Sequence, residues 1–160
     1  MYTHFIFDLD QTVIDSTHRL GDGSLADWIA NNTPRNILLD RELPYAKIMR
    51  DSIADGFDVI ACTSRVMGKA DFAFLRLQGL LPNGGPVIHR IGENDQRPCG
   101  ELKLAKLRGY AAGMGITWAQ FAHDSIMFDD SLDVQKTLRG AGIRVIDPVQ
   151  FNTYIARKIA

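Results

Sequence analysis

The sequence is poor in several things that would have fixed its class at once. It has only two cysteines, Cys62 and Cys99, which make neither a disulfide framework nor a zinc site. No apolar run approaches the roughly 20 residues that a bilayer-spanning helix needs. Charge of one sign is not in surplus: 18 Lys and Arg stand against 19 Asp and Glu, a formal net charge of -1. That balance argues against a generally basic nucleic-acid binder but leaves room for a local basic pocket. There is no internal repeat and no low-complexity tract. Nor is there a signal-peptide pattern, since Met1 leads straight into a strand-like segment. These absences predict an intracellular, reducing, cytoplasmic setting without a membrane. No pattern indicates an oligomeric state.

What is present is an ordinary globular composition, 46% hydrophobic and 23% charged, in 160 residues. That length suits one domain, residues 1–160, with a real core. It also suits a domain cut from a longer polypeptide. Short apolar runs alternate with longer helical patterns, the signal for βαβ units and a parallel sheet. Strands are predicted at 4–7, 59–62, 87–91, 126–128 and 144–146, and helices at 24–31, 45–54, 69–77, 101–112, 132–139 and 149–158. Ser24 suits an N-cap, Gly56 a C′ position and Pro148 a helix start. A turn is expected at 83–86 and a polar loop at 92–98. Residues 16–44 are too polar for a core strand and read as an insert, with one or two short helices, after the first strand.

Ligands of open α/β sheets bind outside the carboxyl ends of the strands. Asp8 and Asp10 of "FDLDQT" follow the first strand; Thr63, Ser64 and Arg65 follow the second; Asp129 and Asp130 follow the 126–128 strand. Four carboxylates at one sheet edge would repel one another. A hard divalent cation relieves this, and Mg²⁺ prefers one or two carboxylates, waters and phosphate oxygens. A carboxylate can attack phosphorus and form an aspartyl-phosphate, provided a metal screens its charge. A second carboxyl can protonate the leaving oxygen and later activate water. Hydroxyl, backbone and lysine donors stabilise the equatorial oxygens. Asp8 fits the nucleophile, Asp10 the acid/base, Thr63 a hydroxyl donor, Lys103 the cation and Asp130 a metal ligand.

Each residue also has a plain structural reading. Asp8 and Asp10 suit a turn, and Thr63 and Ser64 suit a helix cap, itself compatible with anion binding. Lys103 and Lys106 suit a solvated helix face. With Leu104, Leu107 and Ala111 as the buried stripe, Lys103 lies about 40° from Leu107 and reaches the stripe's edge; Lys106 points farther away. Arg19 and Arg65 suit either the surface or bidentate phosphate binding. Trp28 suits either stacking on a base or packing the insert onto the body. His18 and His89 read as structural, and Cys62 as inert core.

In order along the chain, "DLDQT", "VIACTS", "LKLAKL" and "IMFDDS" match the four motifs of the haloacid dehalogenase (HAD) superfamily of phosphohydrolases. The match covers residues 5–146. The resemblance implies a Rossmann-like three-layer sandwich, a mostly parallel sheet with helices on both faces, and Mg²⁺. Within that superfamily the chain is similar to the 3′-phosphatase domain of phage polynucleotide kinase and its stand-alone relatives. "DSTHR" places Arg19 and "TSR" places Arg65 where that group has arginines, and Asp129 and Asp130 match its double aspartate. The alignment implies that Asp130 is the direct metal ligand, that Asp129 supports it, and that Asp8 and the backbone carbonyl of Asp10 complete the set. Three positions differ: Gln11 and Ser64 replace glycines, and Cys99 stands where the group has an aspartate. By the same resemblance, a minimal cap leaves the pocket open. It implies a Mg²⁺-dependent phosphomonoesterase acting on 3′-phosphate ends of nucleic acid, with a nucleoside-monophosphate phosphatase as the alternative. A reading of another class is a catalytically silent HAD fold used as a binding module.

Overall fold

The computed structural model describes residues 2–81 and 85–159. Strand β1 (His4–Phe7) leads through a loop to a two-residue strand β2 (Ile14–Asp15) and a 3₁₀ turn at Thr17–Arg19. Helices α1 (Leu25–Asn31) and α2 (Pro34–Ile37) follow, and β3 (Arg41–Glu42) returns antiparallel on β2. The insert is therefore a small excursion closed at its base by a two-strand clasp. The remaining order is α3 (Tyr45–Ala54), β4 (Asp58–Val66), α4 (Lys69–Leu77), β5 (Val87–Arg90), α5 (Cys99–Gly113), α6 (Trp118–Asp124), β6 (Ser125–Phe128), α7 (Leu132–Gly140), β7 (Arg144–Ile146) and α8 (Val149–Ile159).

The five long strands form one parallel sheet in the order β5-β4-β1-β6-β7. Parallel sheets need cover on both faces, and the sequence supplies it with period-two alternation. Phe7, Val59, Ala61, Ile126 and Phe128 join Tyr45, Met49, Phe74 and Leu75 in one core cluster under α3 and α4. Ile6, Ile60, Cys62 and Met127 join Leu107, Phe121, Val134 and Leu138 in the other, under α5, α6 and α7. This is the expected three-layer α/β sandwich.

Local chemistry sets the helix ends. The hydroxyls of Ser24, Thr33 and Thr117 accept bonds from Asp27, Asn36 and Gln120 backbone N–H groups, capping α1, α2 and α6. Gly56, at φ 78°, follows α3 in the left-handed conformation that its missing Cβ permits. Asn152 of α8 donates to the Thr12 carbonyl and accepts from the Tyr45 N–H, tying the last helix to the loop after β1.

The strands and most helices match expectation; three features differ. Strand β4 runs on to Val66, so Thr63, Ser64 and Arg65 lie inside it rather than after it. Its pairing with β5 slips between Cys62 and Val66, a bulge that re-aims these residues. Helix α6 and the β2–β3 clasp are absent from the sequence reading, because segments this short carry little periodicity, whereas α1 and α2 are the short helices expected in the insert. Of the turn expected at 83–86, residues 83 and 84 lie outside the described ones. Among the described residues, no helix is long and apolar enough to cross a membrane.

Candidate active site

The carboxyl ends of β1, β4 and β6 converge, as the parallel register requires. The Asp8 N–H bonds the Phe128 carbonyl at 2.9 Å, so Asp8 leaves the sheet directly beside Asp129. Lys103, from the first half of α5, is buried and spans the gap: its Nζ donates to Asp8 Oδ1 at 2.6 Å and to Asp129 Oδ2 at 2.7 Å. Leu102, Leu107 and Ala111 are the buried apolar residues of α5, while Leu104 is only half-buried. The stripe is thus rotated from the expected one, toward Lys103.

Asp8, Asp129 and Asp130 each offer a carboxylate oxygen within 4.8 Å of the others. One ammonium faces these three carboxylates. Asp130 has a long contact with the Thr12 hydroxyl, 3.5 Å, and no ion pair among the described residues. Burial and the nearby Asp129 push its carboxyl up to about 6. Burial also raises Asp8 well above the usual carboxylate range, against the pull of Lys103 and with the push of Asp129. Burial works to lower Lys103, but Asp129 and Asp8 carry it well above its ordinary value. The donor set, all oxygen and under-neutralised, fits a hard divalent cation.

Asp10 is turned away from that cluster. Burial would raise its carboxyl, but Arg65 and the Ser16 hydroxyl, 2.6 Å away, hold it below the usual value. Arg65 donates through Nε at 3.2 Å and through Nη2 to Asp10, and through Nη1 to Asp71 at 2.7 Å. The Thr63 hydroxyl accepts the Arg65 N–H at 3.1 Å and donates to Asp10 at 3.4 Å, so it serves this pair rather than the open cavity. The Ser64 Oγ is buried without a hydrogen-bond partner among the described residues. Arg90 spends its guanidinium on the carbonyls of Ser64, Asp95 and Arg97, which fixes the loop after β5.

A cavity of about 260 Å³ opens on this edge. Asp8, Asp10, Ser64, Arg65, Lys103 and Asp130 border it; Thr63 and Asp129 sit behind its wall. Arg19 does not reach it. Its side chain is fully buried, donating to Asp40 at 2.9 and 2.5 Å and to Asn32 at 2.5 Å. The expectation that Arg19 meets a substrate phosphate therefore does not match its placement, since Asp40 already occupies the fork of its guanidinium. Asp40, Asp71, Ser16 and Asn32 were not legible as site residues, because each matters only through the charged group it meets across the fold.

A family model described as bacteriophage T5 5′-deoxynucleotidase matches residues 1–95. The 5′-deoxynucleotidase of Escherichia phage T5 is 28% identical over 169 residues, covering 94% of this chain and 69% of the relative. Among solved structures, a haloacid dehalogenase-like hydrolase from Streptococcus pneumoniae has a TM-score of 0.67 at 10% identity, covering 91% of this chain and 84% of that one. A HAD family enzyme from Bacteroides thetaiotaomicron, in complex with magnesium and inorganic phosphate, has a TM-score of 0.53 at 8% identity, with 92% and 94% covered. These two likenesses establish the fold as that of HAD hydrolases.

Proposed function

We propose, from the premise that the chain belongs to the bacteriophage T5 5′-deoxynucleotidase family, that it hydrolyses nucleoside 5′-monophosphates through an aspartyl-phosphate on Asp8. In class the chain is a phosphoric monoester hydrolase with a HAD fold. The observation that carries the reading is the meeting of Asp8, Asp130 and Lys103, with Asp129 behind them, at one cavity that also holds Asp10 and Ser64.

Asp8 and Asp130, with the Asp10 backbone carbonyl, would hold Mg²⁺, and Asp129 would anchor Lys103 beside them. When bound, the ion supplies charge screening between the Asp8 carboxylate and the substrate dianion. Asp8 Oδ attacks phosphorus in line, a new P–O bond forms, and the bond to the ester oxygen breaks with its electron pair. Asp10 gives its proton to that oxygen, so the alcohol leaves neutral. Arg65 keeps Asp10 ionised at rest; the dianionic substrate opposes Arg65 and favours proton uptake on Asp10 as it binds. Asp10, now a carboxylate, takes a proton from water as the water attacks the acyl phosphate. This releases inorganic phosphate and restores Asp8. Lys103 and the unpartnered Ser64 hydroxyl would hold the equatorial oxygens.

The buried, closed Arg19 favours the mononucleotide over a 3′-phosphorylated polynucleotide end, because the further phosphates of that end find no free fork on an arginine already paired to Asp40. Phosphate release is measured on the four deoxynucleoside 5′-monophosphates and on a 3′-phosphorylated oligonucleotide. Activity on the former is expected; it is lost in EDTA, restored by Mg²⁺, and reduced about 10³-fold or more by Asp8→Asn. Release from the oligonucleotide alone would defeat the nucleotidase reading, and full activity in Asp8→Asn would defeat the mechanism.

A further inference from the structure

Among the described residues, α1 is the one helix longer than a single turn that buries none of its residues. It still has an apolar stripe: Leu25, Trp28 and Ile29 stand at helical spacing and all border the cavity that Lys103 and Asp130 also line. Val66 and Val134 extend the same apolar surface from the body of the fold. An amphipathic helix ordinarily presses such a stripe into a core. Here the stripe borders an open space that the groups of the phosphate chemistry also line.

Trp28 is also held in place. The Arg19 and Arg65 guanidiniums lie 5.3 and 5.7 Å from its ring centre, and both are fixed by carboxylates: Arg19 by Asp40, Arg65 by Asp10 and Asp71. Asn32, at the end of α1, donates to the Val66 carbonyl at 2.9 Å and to Asp71 at 3.1 Å, and accepts from Arg19. Both polar atoms of the Asn32 side chain are thereby committed to holding the helix over the site. The wall it supports has shape and polarisability to offer, and its surface suits a flat ring more than a sugar or a short polar chain.

We infer that the α1 wall is the base-binding subsite, with the nucleobase of a nucleoside 5′-monophosphate lying against Trp28 and flanked by Leu25 and Ile29 while its phosphate sits at Lys103. The inference rests on the nucleotidase reading and adds to it the surface that selects nucleotides over other phosphomonoesters. Trp28 is a substrate-binding residue in this arrangement. The occupant follows from continuity of the apolar wall with the carboxylate and lysine floor, which matches a ligand with an aromatic end and a phosphate end.

The test compares a deoxynucleoside 5′-monophosphate with 2-deoxyribose 5-phosphate, which lacks only the base. Trp28→Ala is expected to lower the ratio of the two kcat/KM values about tenfold or more, mainly through KM for the nucleotide. Trp28→Phe should restore most of it. The Leu25→Ala/Ile29→Ala pair should lower the same ratio, and serves if Trp28→Ala does not fold. In the Asp8→Asn protein the nucleotide should quench tryptophan fluorescence and the sugar phosphate should not, with the quench gone in Asp8→Asn/Trp28→Phe. If Trp28→Ala lowers both substrates by one common factor, Trp28 merely supports Arg65 and the inference falls while the nucleotidase reading stands. If the unaltered protein hydrolyses no 5′-nucleotide, both fall.

Discussion

Gln11 sits between the two motif aspartates and Thr12 at φ 57°, the only non-glycine residue with positive φ among those described. Its N–H closes the loop on the Ile14 carbonyl at 2.7 Å, so the conformation is imposed by the tight return of the chain after Asp10. A side chain there carries a strain of order 1 kcal/mol that glycine lacks. Its side-chain contact to Ser16 is long, at 3.4 Å. Gln11→Gly is therefore expected to raise stability by about 1 kcal/mol in urea unfolding, and Gln11→Val to lower it. A destabilised Gln11→Gly protein would show that the amide contributes more than its contact suggests. Lys103 makes the opposite point. Its neighbours on the helix wheel placed it near the buried face, and the structure puts it between two carboxylates it could not have known from local sequence.

At the scale of elements, the insert is held by charge as much as by packing. Arg19, in the 3₁₀ turn, and Asp40, before β3, pair across its base with both side chains fully buried. Removing one partner leaves the other buried and uncompensated, a loss of about 3–5 kcal/mol. Arg65, with Nη2 3.8 Å from Asp40, softens it. Arg19→Met is thus expected near the low end, about 3 kcal/mol less stable by urea unfolding. Arg19→Met/Asp40→Leu should recover part of that loss. Equal stability of Arg19→Met and the unaltered protein would mean the pair is solvated in solution. The strands were readable because each is a short apolar run ending in polar residues. The pairing of Arg19 was not, since an arginine eleven residues beyond Asp8 looks the same in sequence whether it faces a phosphate or a carboxylate.

For the molecule as a whole, burial of neutral groups makes alkaline pH the vulnerable side. Burial pushes the Cys62 thiol from 9.0 up to about 12. Above pH 9 the unfolded chain sheds that proton while the folded chain keeps it, so the folded state binds more protons and stability falls as pH rises. The slope from this group is about 1.4 kcal/mol per pH unit between 9 and 12. The buried phenol of Tyr45 and the half-buried one of Tyr110, both raised, act in the same direction at still higher pH. Urea unfolding under reductant at pH 8, 9.5 and 10.5 is expected to show this decline, with a slope shallower by one proton in Cys62→Val. The same slope in that variant would place the lost proton elsewhere.

By itself the amino-acid sequence determined the parallel α/β layout, the place of the insert, and the acidic and basic residues that end the strands, because alternation and strand-end polarity are local properties of the chain. Tertiary structure decided which charges meet: Asp8 and Asp129 on Lys103, Asp10 on Arg65, and Arg19 on Asp40 rather than on a ligand. It also decided that Trp28 borders the cavity. Such pairings depend on distances across the fold, between residues up to 95 positions apart, and no local pattern encodes them.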